Sequence, residues 1–410
     1  MKFARTCAVL ALLWSTFAVG LEFSDAEREA IARHGPWPPR AVRDPTNRHS
    51  GRPAAIAFGR ALFFDARLSL DRTHACGSCH KPELAWTDGQ ARSSGRERLD
   101  RNAPSIANSR FERWFGRDGG ADSLWSHALR PLTDSREMAM SVPLIAARVR
   151  DHTDLRRRYE RAFGKIADDD ETVAVDVAKA IAAFQETVVT GRTPFDDFRD
   201  ALLRGDARAM ARYPESAQRG LKIFIGRGDC SVCHFGPRFT NGEFADIGIP
   251  YFAAPGRVDP GRHAGIRHVK ASPYNLESRW NDDESRADAG SARRGPKSQA
   301  WRHDRYGRWN DDASRASAVP TRHLRLEHRH WGEFKVPSLR NVALTAPYMH
   351  AGSHATLAEV VQHYSELNEE RLHADGERIL KPLRLSAQES ADLVAFLESL
   401  SERKAAARAR

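Results

Sequence analysis

Two copies of one five-residue motif constrain this chain more than any other feature of its sequence. Each copy has two cysteines three positions apart and a histidine directly after them; the residues are Cys76, Cys79 and His80, and Cys230, Cys233 and His234. In this pattern the thiols form thioethers with the two haem vinyl groups, and the histidine supplies an axial nitrogen to the iron. A zinc ribbon needs its cysteine pairs roughly 15–20 residues apart, and a thioredoxin-like pair leaves the histidines unexplained. The sequence therefore predicts two covalently bound c-type haems.

The N-terminal residues 1–20 predict a secretory signal peptide. Lys2 and Arg5 precede an apolar run over residues 7–19, and small residues ending at Gly20 are typical of a cleavage site. The run is too short to span a bilayer comfortably, and no later segment is apolar enough to do so. Cleavage removes Cys7, the only cysteine outside the two motifs. We therefore expect an exported, periplasmic protein without a disulfide.

The charge of the chain favours an acidic protein partner. Its formal net charge is +10, and loss of Lys2 and Arg5 removes two positive charges, which leaves +8. The excess comes from arginine-rich stretches, and no nucleic-acid-binding motif accompanies them. We expect weak binding to an acidic partner and no binding to nucleic acid.

A repeated helical element indicates two related domains. Residues 54–64 and 217–225 have helical apolar patterns, and each segment precedes one of the motifs. Further helices are predicted over 24–35, 172–190 and 386–400. The predicted fold is all-α, with two cytochrome c-like domains over 21–200 and 201–401 and a charged tail over 402–410.

Residues 262–329 differ in composition from the rest of the chain. They are polar and poor in aliphatic residues, and Arg279–Ala287 is nearly repeated as Arg308–Ala316. A duplication that lengthened one loop explains the repeat, and the composition buries little surface. We therefore expect a polar, partly disordered inserted loop in the C-terminal domain. Its histidines are expected to be solvated rather than bound to a metal.

Two further segments resemble those of a known family. Asp118–Ala128, continuing to Met138, is similar to the distal-pocket stretch of bacterial di-haem cytochrome c peroxidases. Phe334–His350 is similar to the signature of that family's second haem domain. The resemblance covers nearly the whole mature chain and is strongest to MauG-like enzymes, including the MbnH type. Those enzymes use hydrogen peroxide to oxidise a residue of another protein.

The resemblance gives the first haem the role of reacting with peroxide. His80 would hold this haem, and Glu137 would move a proton between the two peroxide oxygens, although a surface glutamate is the alternative. Residues 81–101 contain no histidine to close the iron site, so we expect this haem to stay open. His127 stands where the family has a distal glutamine. It is expected to donate a hydrogen bond and to change protonation near neutral pH.

The resemblance gives the second haem the role of storing oxidising equivalents. His234 would hold it, and Tyr364 stands where ordinary family peroxidases place a methionine ligand. A phenolate stabilises oxidised iron, whereas a methionine raises the potential. Met349, His350 and His363 are rival ligands, and a core aromatic is the alternative role for the tyrosine.

The resemblance also implies an interdomain calcium ion and an electron relay. Asn102, Thr345 and Pro347 match the family's calcium positions, and hard oxygen ligands suit calcium; a hydrogen-bonded loop is the alternative. Arg117 occupies the position of the family's inter-haem tryptophan, and an arginine cannot carry an electron hole as an indole can. Trp114 is the candidate substitute in the relay, with Trp125 as its rival.

Two classes of function remain open from the sequence. The first is a peroxide-dependent oxidoreductase that oxidises Trp or Tyr of a partner protein through high-valent haem. A variant of that enzyme reduces peroxide with electrons from a small cytochrome or copper protein. The second class is a di-haem electron carrier, which the altered distal residues favour. Addition of peroxide distinguishes an enzyme from a carrier, because only the enzyme is oxidised beyond the ferric state.

Overall fold

The computed structural model describes residues 21–250, 252–254, 256–283, 320–369, 375–376 and 378–403. The predicted signal peptide, the second copy of the repeat at 308–316 and most of the charged tail lie outside these ranges. The described chain is mostly helical, with four very short strands. The helices are α1 Asp25–Ala32, α2 Pro53–Phe63, α3 Cys76–Cys79, α4 Leu124–Thr133, α5 Val142–Asp151, α6 Thr153–Phe163, α7 Asp170–Gln185, α8 Pro194–Arg204, α9 Ala207–Met210, α10 Glu215–Ile225, α11 Cys230–Cys233, α12 Arg262–Ala271, α13 Leu357–Ser365 and α14 Ala387–Glu398. The strands are β1 Phe244–Ala245, β2 Phe252–Ala254, β3 Arg257–Val258 and β4 Phe334–Lys335.

Helix α7 is the centre of the first hydrophobic core. Its N-cap Asp169 accepts a hydrogen bond from the Thr172 amide at 2.9 Å, and every residue from Val173 to Gln185 is buried. A helix that is apolar around most of its circumference is stable only when other elements surround it. Helices α2, α4, α5 and α6 supply that cover. The helix predicted over 172–190 is confirmed as far as Gln185.

Helices α10 and α14 form the centre of the second core, with α1, α8 and α13 packed around them. Ser386 and Glu389 form the capping box at the start of α14, because each side chain bonds the backbone amide of the other residue. This helix was predicted over 386–400, and the structure confirms it over Ala387–Glu398. The helix predicted over 24–35 is likewise confirmed as α1, with a capping box at Ser24.

One glycine in each core allows an equivalent helix contact. A Cβ atom added at Gly59 on α2 would lie 1.8 Å from the Ala180 carbonyl oxygen on α7. A Cβ added at Gly220 on α10 would lie 2.0 Å from the Asp392 carbonyl oxygen on α14. Only glycine permits such close approach of two helix backbones. The two helices predicted from the repeated element therefore occupy the same place in their respective cores.

The segment after residue 261 differs from the predicted polar loop. Helix α12 is ordered, and Ile266 and Val269 on it are 1% and 0% exposed. Farther along, Leu276 belongs to the first core, although we assigned the segment to the C-terminal domain. Lys179 on α7, only 2% exposed, donates to Asp282 at 2.7 Å. The expectation of a loop is wrong for residues 262–271, which form α12 because well-spaced aliphatic residues are buried there. Residues 272–283 contain no helix or strand, but buried Leu276 and the Lys179–Asp282 ion pair hold them against the first core.

Short strands and polar contacts join the two halves of the chain. Strand β1 pairs antiparallel with β4, and the Lys335 amide of β4 donates to the Arg117 carbonyl at 2.8 Å. Strands β2 and β3 form a small hairpin, and Arg92 donates to the Ala253 carbonyl on it. Within the described ranges, no helix is long and apolar enough to cross a membrane.

Candidate functional site

A cavity of about 560 Å³ adjoins the first motif. Its wall includes Cys76, Cys79 and His80, together with residues from both halves of the chain. The volume lies within the roughly 300–1,000 Å³ that is typical of small-molecule and cofactor pockets. Two thiols, an imidazole and a large adjoining space provide what the attachment of a haem requires.

The His80 side chain has one ring nitrogen held by the backbone. Its Nδ1 lies 3.1 Å from the Trp86 carbonyl oxygen, which accepts its proton. A backbone acceptor on Nδ1 fixes the tautomer and leaves Nε2 free to bind a metal. Burial lowers the pKa of His80, so the imidazole is in the neutral form that ligation needs.

The second motif has the same arrangement. His234 follows α11, and its Nδ1 lies 2.9 Å from the Phe239 carbonyl oxygen. Burial lowers the pKa of His234 as well. Both histidines are therefore neutral and oriented through a backbone carbonyl five or six residues downstream. The two sites fit the same kind of group in the same way.

Tyr364 lies on α13 close to the second motif. Burial raises the pKa of its phenol, and the charges of Cys230 and Cys233 raise it further, so the three side chains are near one another. The phenol forms no hydrogen bond with any residue that the structure describes. Within the described chain, Tyr364 is therefore a half-buried residue whose phenol oxygen has no hydrogen-bond partner beside the second motif.

The rival ligands of the second site are placed differently. Met349 lines the cavity of the first motif. His350 stacks on Phe334 with the ring centroids 3.8 Å apart. His363 is adjacent to Tyr364, but its Nε2 lies 3.0 Å from the Ile247 carbonyl. Of the four candidates, Tyr364 is the one whose polar atom is both close to the second motif and unengaged.

Glu137 lies on the wall of the cavity beside the first motif. Its backbone is fixed on both sides, since its amide donates to Asp134 at 3.1 Å and its carbonyl accepts from Arg96 at 3.3 Å. Burial, and to a smaller extent the charge of Asp134, raise the pKa of Glu137 to about 7. At neutral pH the carboxyl group is therefore present in both protonation states. This placement differs from the exposed position of an ordinary surface glutamate.

His127 also lines this cavity, from the middle of α4. Its Nδ1 is buried and has no hydrogen-bond partner, and its ring lies 6.2 Å from that of Phe115. Burial and the nearby charge of Arg130 lower its pKa to about 3. The expectation that His127 changes protonation near neutral pH is therefore wrong. It remains a neutral hydrogen-bonding group throughout that range.

The sequence analysis missed a network of ion pairs around the cavity. Asp118 accepts from Arg101 at 3.0 Å and from Arg130 at 3.1 Å, and Arg101 also binds Asp259 at 2.6 Å. The two guanidinium groups hold the pKa of Asp118 well below its usual range. Through Arg101, the network joins Asp118 in the distal-pocket stretch to Asp259 in the C-terminal half. The sequence shows only an abundance of arginine and aspartate, and nothing in it identifies these pairs.

The residues expected to hold calcium are partly brought together. Asn102 donates through Nδ2 to the carbonyl oxygens of Pro347, at 2.9 Å, and Met349, at 3.0 Å. Its Oδ1 is buried without a partner, and Thr345 lies on the same cavity wall. The described residues contain no cluster of three or more His, Cys, Asp or Glu that fits a metal ion. All candidate calcium ligands are therefore neutral oxygens, and calcium binding stays a prediction.

Trp114 is buried next to a cation. The guanidinium carbon of Arg262 lies 4.5 Å from the centroid of Trp114 and 3.9 Å from that of Phe244. Its rival Trp125 lies in the first core, where Nε1 donates to Thr46 at 3.1 Å. A neighbouring positive charge opposes the formation of a hole on the Trp114 indole. No local pattern indicates this contact, because Arg262 lies in the segment predicted to be a loop.

Comparison with known proteins identifies what this architecture is similar to. The family model described as "Di-haem cytochrome c peroxidase" matches residues 53–207. The methylamine utilization protein MauG of Methylorubrum extorquens is 33% identical over 356 residues, which cover 86% of this chain and 80% of that protein. The cytochrome-c peroxidase IdrP1 of Pseudomonas sp. (strain SCT) is 30% identical over 96% of this chain and 92% of its own length.

Solved structures agree with these matches. The crystal structure of a MauG-like protein associated with microbial copper homeostasis is 27% identical, with a TM-score of 0.59. The match covers 90% of this chain and 96% of that one. The diheme peroxidase BthA from Burkholderia thailandensis has the same fold, with a TM-score of 0.61 at 20% identity.

Proposed function

Because the chain belongs to the family of di-haem cytochrome c peroxidases and MauG, which are peroxidase-class oxidoreductases, we propose that it oxidises a partner protein with hydrogen peroxide. Two haems are attached covalently, one at Cys76, Cys79 and His80 and one at Cys230, Cys233 and His234. They occupy two cytochrome c-like domains. The oxidised residue is a Trp or Tyr of the partner.

The single observation that carries this proposal is the position of Tyr364. A half-buried phenol lies beside the second motif, at the position where the resemblance places the methionine of ordinary cytochrome peroxidases, and its oxygen has no partner among the described residues. An anionic oxygen ligand stabilises oxidised iron and makes its reduction harder. A second haem tuned in this way accepts electrons poorly from a cytochrome donor. It is suited to holding oxidising equivalents until a protein side chain supplies the electrons.

The haem at the first motif, when bound, supplies the redox-active iron at which peroxide is reduced. Residues of the chain carry out the proton transfers. Since the pKa of Glu137 is about 7, its carboxylate can take a proton from one peroxide oxygen, and the resulting acid can return it to the other. His127 is uncharged and offers a hydrogen bond in the same cavity. Asp118 and Arg130 on the same wall are bonded to each other.

The overall reaction balances in either of two ways. Insertion of oxygen converts the partner's side chain and one hydrogen peroxide into the hydroxylated side chain and one water. Cross-linking converts two side chains and one peroxide into the coupled product and two waters. The gain of one oxygen atom or the loss of two hydrogens therefore distinguishes these products by mass.

The deciding experiment mixes purified holoprotein, peroxide and a purified acidic protein encoded beside its gene, followed by mass spectrometry of that partner. An added oxygen or a cross-link, absent without peroxide and absent with Glu137→Gln, is the expected result. The relatives named cytochrome-c peroxidases favour one alternative, in which a small cytochrome or copper protein supplies electrons. Rapid turnover with such a donor and an unmodified partner would establish that alternative. No oxidation by peroxide at all would leave only an electron carrier.

The cellular location and the calcium ion are part of the same proposal. The predicted signal peptide supports export to the periplasm, where c-type haem proteins of this kind meet their partners. The unpartnered Oδ1 of Asn102 supports one calcium ion between the two domains. A calcium-dependent rise in the unfolding temperature of the chelator-treated holoprotein is the test of that ion.

A further inference from the structure

Most buried arginines around the cavity are bound to an acceptor from the chain. Arg101 binds Asp118 and Asp259, and Arg340 binds Asp196 at 2.8 Å. Each guanidinium thus has a carboxylate that compensates the cost of its removal from water. This is the usual condition for burying a charge.

Arg117 and Arg238 differ from the arginines around them. The side chains of both form no hydrogen bond and no ion pair with the residues that the structure describes, and Nε of Arg117 is buried without a partner. The charge of Glu112 acts on both, but its carboxylate is bonded to Lys335. Burial lowers the pKa of Arg117 to about 10. Two largely desolvated cations therefore lack a bonded carboxylate within the described chain.

The positions of these two arginines indicate where the missing anions come from. Arg117 lies on the wall of the cavity that carries the first motif. Arg238 follows His234 by four residues and directly precedes Phe239, whose carbonyl orients that histidine. The charge of Glu112 acts on both guanidinium groups, so both lie within reach of one carboxylate although they come from opposite halves of the chain. Each proposed haem carries two propionate side chains, which are carboxylates.

We propose that Arg117 binds a propionate of the first haem and Arg238 a propionate of the second, which rests on the haem binding proposed above. A guanidinium forms strong, charge-assisted hydrogen bonds with a carboxylate, and its planar shape fixes the orientation of that carboxylate. Position 117 is where the resemblance places a tryptophan. This chain therefore has an anchoring cation between the haems in place of an aromatic relay.

The proposed contacts have a measurable electrostatic consequence. Ferrous haem carries one positive charge fewer than ferric haem, so a nearby cation stabilises the reduced state. Two unit charges about 10 Å apart, at an effective dielectric constant of about 20, change an equilibrium by about tenfold or more. Removing the Arg117 charge should therefore lower the ferrous-to-ferric ratio of the first haem about tenfold at a fixed potential, which equals a shift of about 59 mV.

The test is a spectroelectrochemical titration of the holoprotein that resolves the two haems. Arg117→Met should lower the potential of the first haem, and Arg238→Met that of the second, each with little effect on the other haem. Arg117→Lys keeps the charge and should retain most of the wild-type potential. Arg60→Met removes an exposed arginine of α2 and serves as the matched control, with no shift expected.

Unchanged potentials in a fully haem-loaded Arg117→Met protein would overturn the proposal. If the Met variant loses the first haem, the Lys variant decides. Haem retention at near wild-type potential supports anchoring by charge, whereas loss of haem in the Lys variant as well overturns it, because lysine keeps the positive charge. The potentials are measured without peroxide or a partner protein. The measured potentials can therefore be interpreted even if the proposed enzymatic activity is not found.

Discussion

Replacement of Glu137 by glutamine should separate catalysis from stability in this protein. The amide has nearly the shape of the carboxyl group but cannot transfer a proton. Loss of a positioned acid–base group costs about 100- to 10,000-fold in rate. The reaction of ferric holoprotein with peroxide should slow by that factor, while the haem content and the resting spectrum stay unchanged.

The same substitution should stabilise the fold, with a definite dependence on pH. The pKa of Glu137 rises from 4.5 to about 7 on folding because burial penalises the charged form. The folded state therefore binds the proton more tightly, and stability falls as the pH rises from about 4.5 to 7. At about 1.4 kcal/mol for each pKa unit, the full penalty is roughly 3 kcal/mol. Glutamine has no such penalty, so Glu137→Gln should gain up to about 3 kcal/mol at pH 8 and almost none at pH 4.

Two measurements test this reasoning on the holoprotein. Stopped-flow mixing with peroxide gives the rate, and denaturant unfolding at several pH values gives the free energy of unfolding. Glu97→Gln makes the same chemical change at an exposed position nearby and should alter neither quantity. A Gln variant that reacts at the wild-type rate would refute the proton-transfer role. A stability gain that is equal at pH 4 and pH 8 would refute the buried, proton-sharing carboxyl group.

Three further predictions concern the second site, the relay and the segment after α12. Resting ferric protein should show one high-spin and one low-spin haem by electron paramagnetic resonance, and two low-spin signals would contradict the open first site. Tyr364→His should alter only the low-spin signal and impair oxidation of the partner protein. Trp114→Phe should slow partner oxidation less than about tenfold, because Arg262 at 4.5 Å disfavours an electron hole on the Trp114 indole. A larger loss of rate would establish Trp114 as the relay. Deletion of residues 280–308 joins Arg279 to a second Trp-Asn-Asp-Asp sequence, so both haem spectra and the stability should be preserved. Asp282→Ala should lower the free energy of unfolding by about 3 kcal/mol, because it leaves the buried Lys179 without its carboxylate. Equal destabilisation by the two changes would show that the second copy cannot replace the first.

The sequence by itself determined the features that depend on local patterns. The spacing of cysteines and histidine in the two motifs predicts haem attachment, because that chemistry acts within five consecutive residues. The major helices followed from apolar periodicity and from caps such as Ser386 with Glu389, which are interactions between near neighbours. The resemblance indicated Glu137 and Tyr364, and the structure found each beside a motif.

Only the tertiary structure decided the electrostatic state of the site. His127 has the same ordinary pKa as any exposed histidine until burial and Arg130 lower it to about 3. Arg117 and Arg262 are both plain arginines in the sequence, yet one lacks a partner in the described chain and the other stacks on Trp114. The ordered segment 262–283 depends on Lys179, a residue about 100 positions away. Desolvation and long-range ion pairing depend on what surrounds a side chain in space, and local sequence patterns do not specify those surroundings.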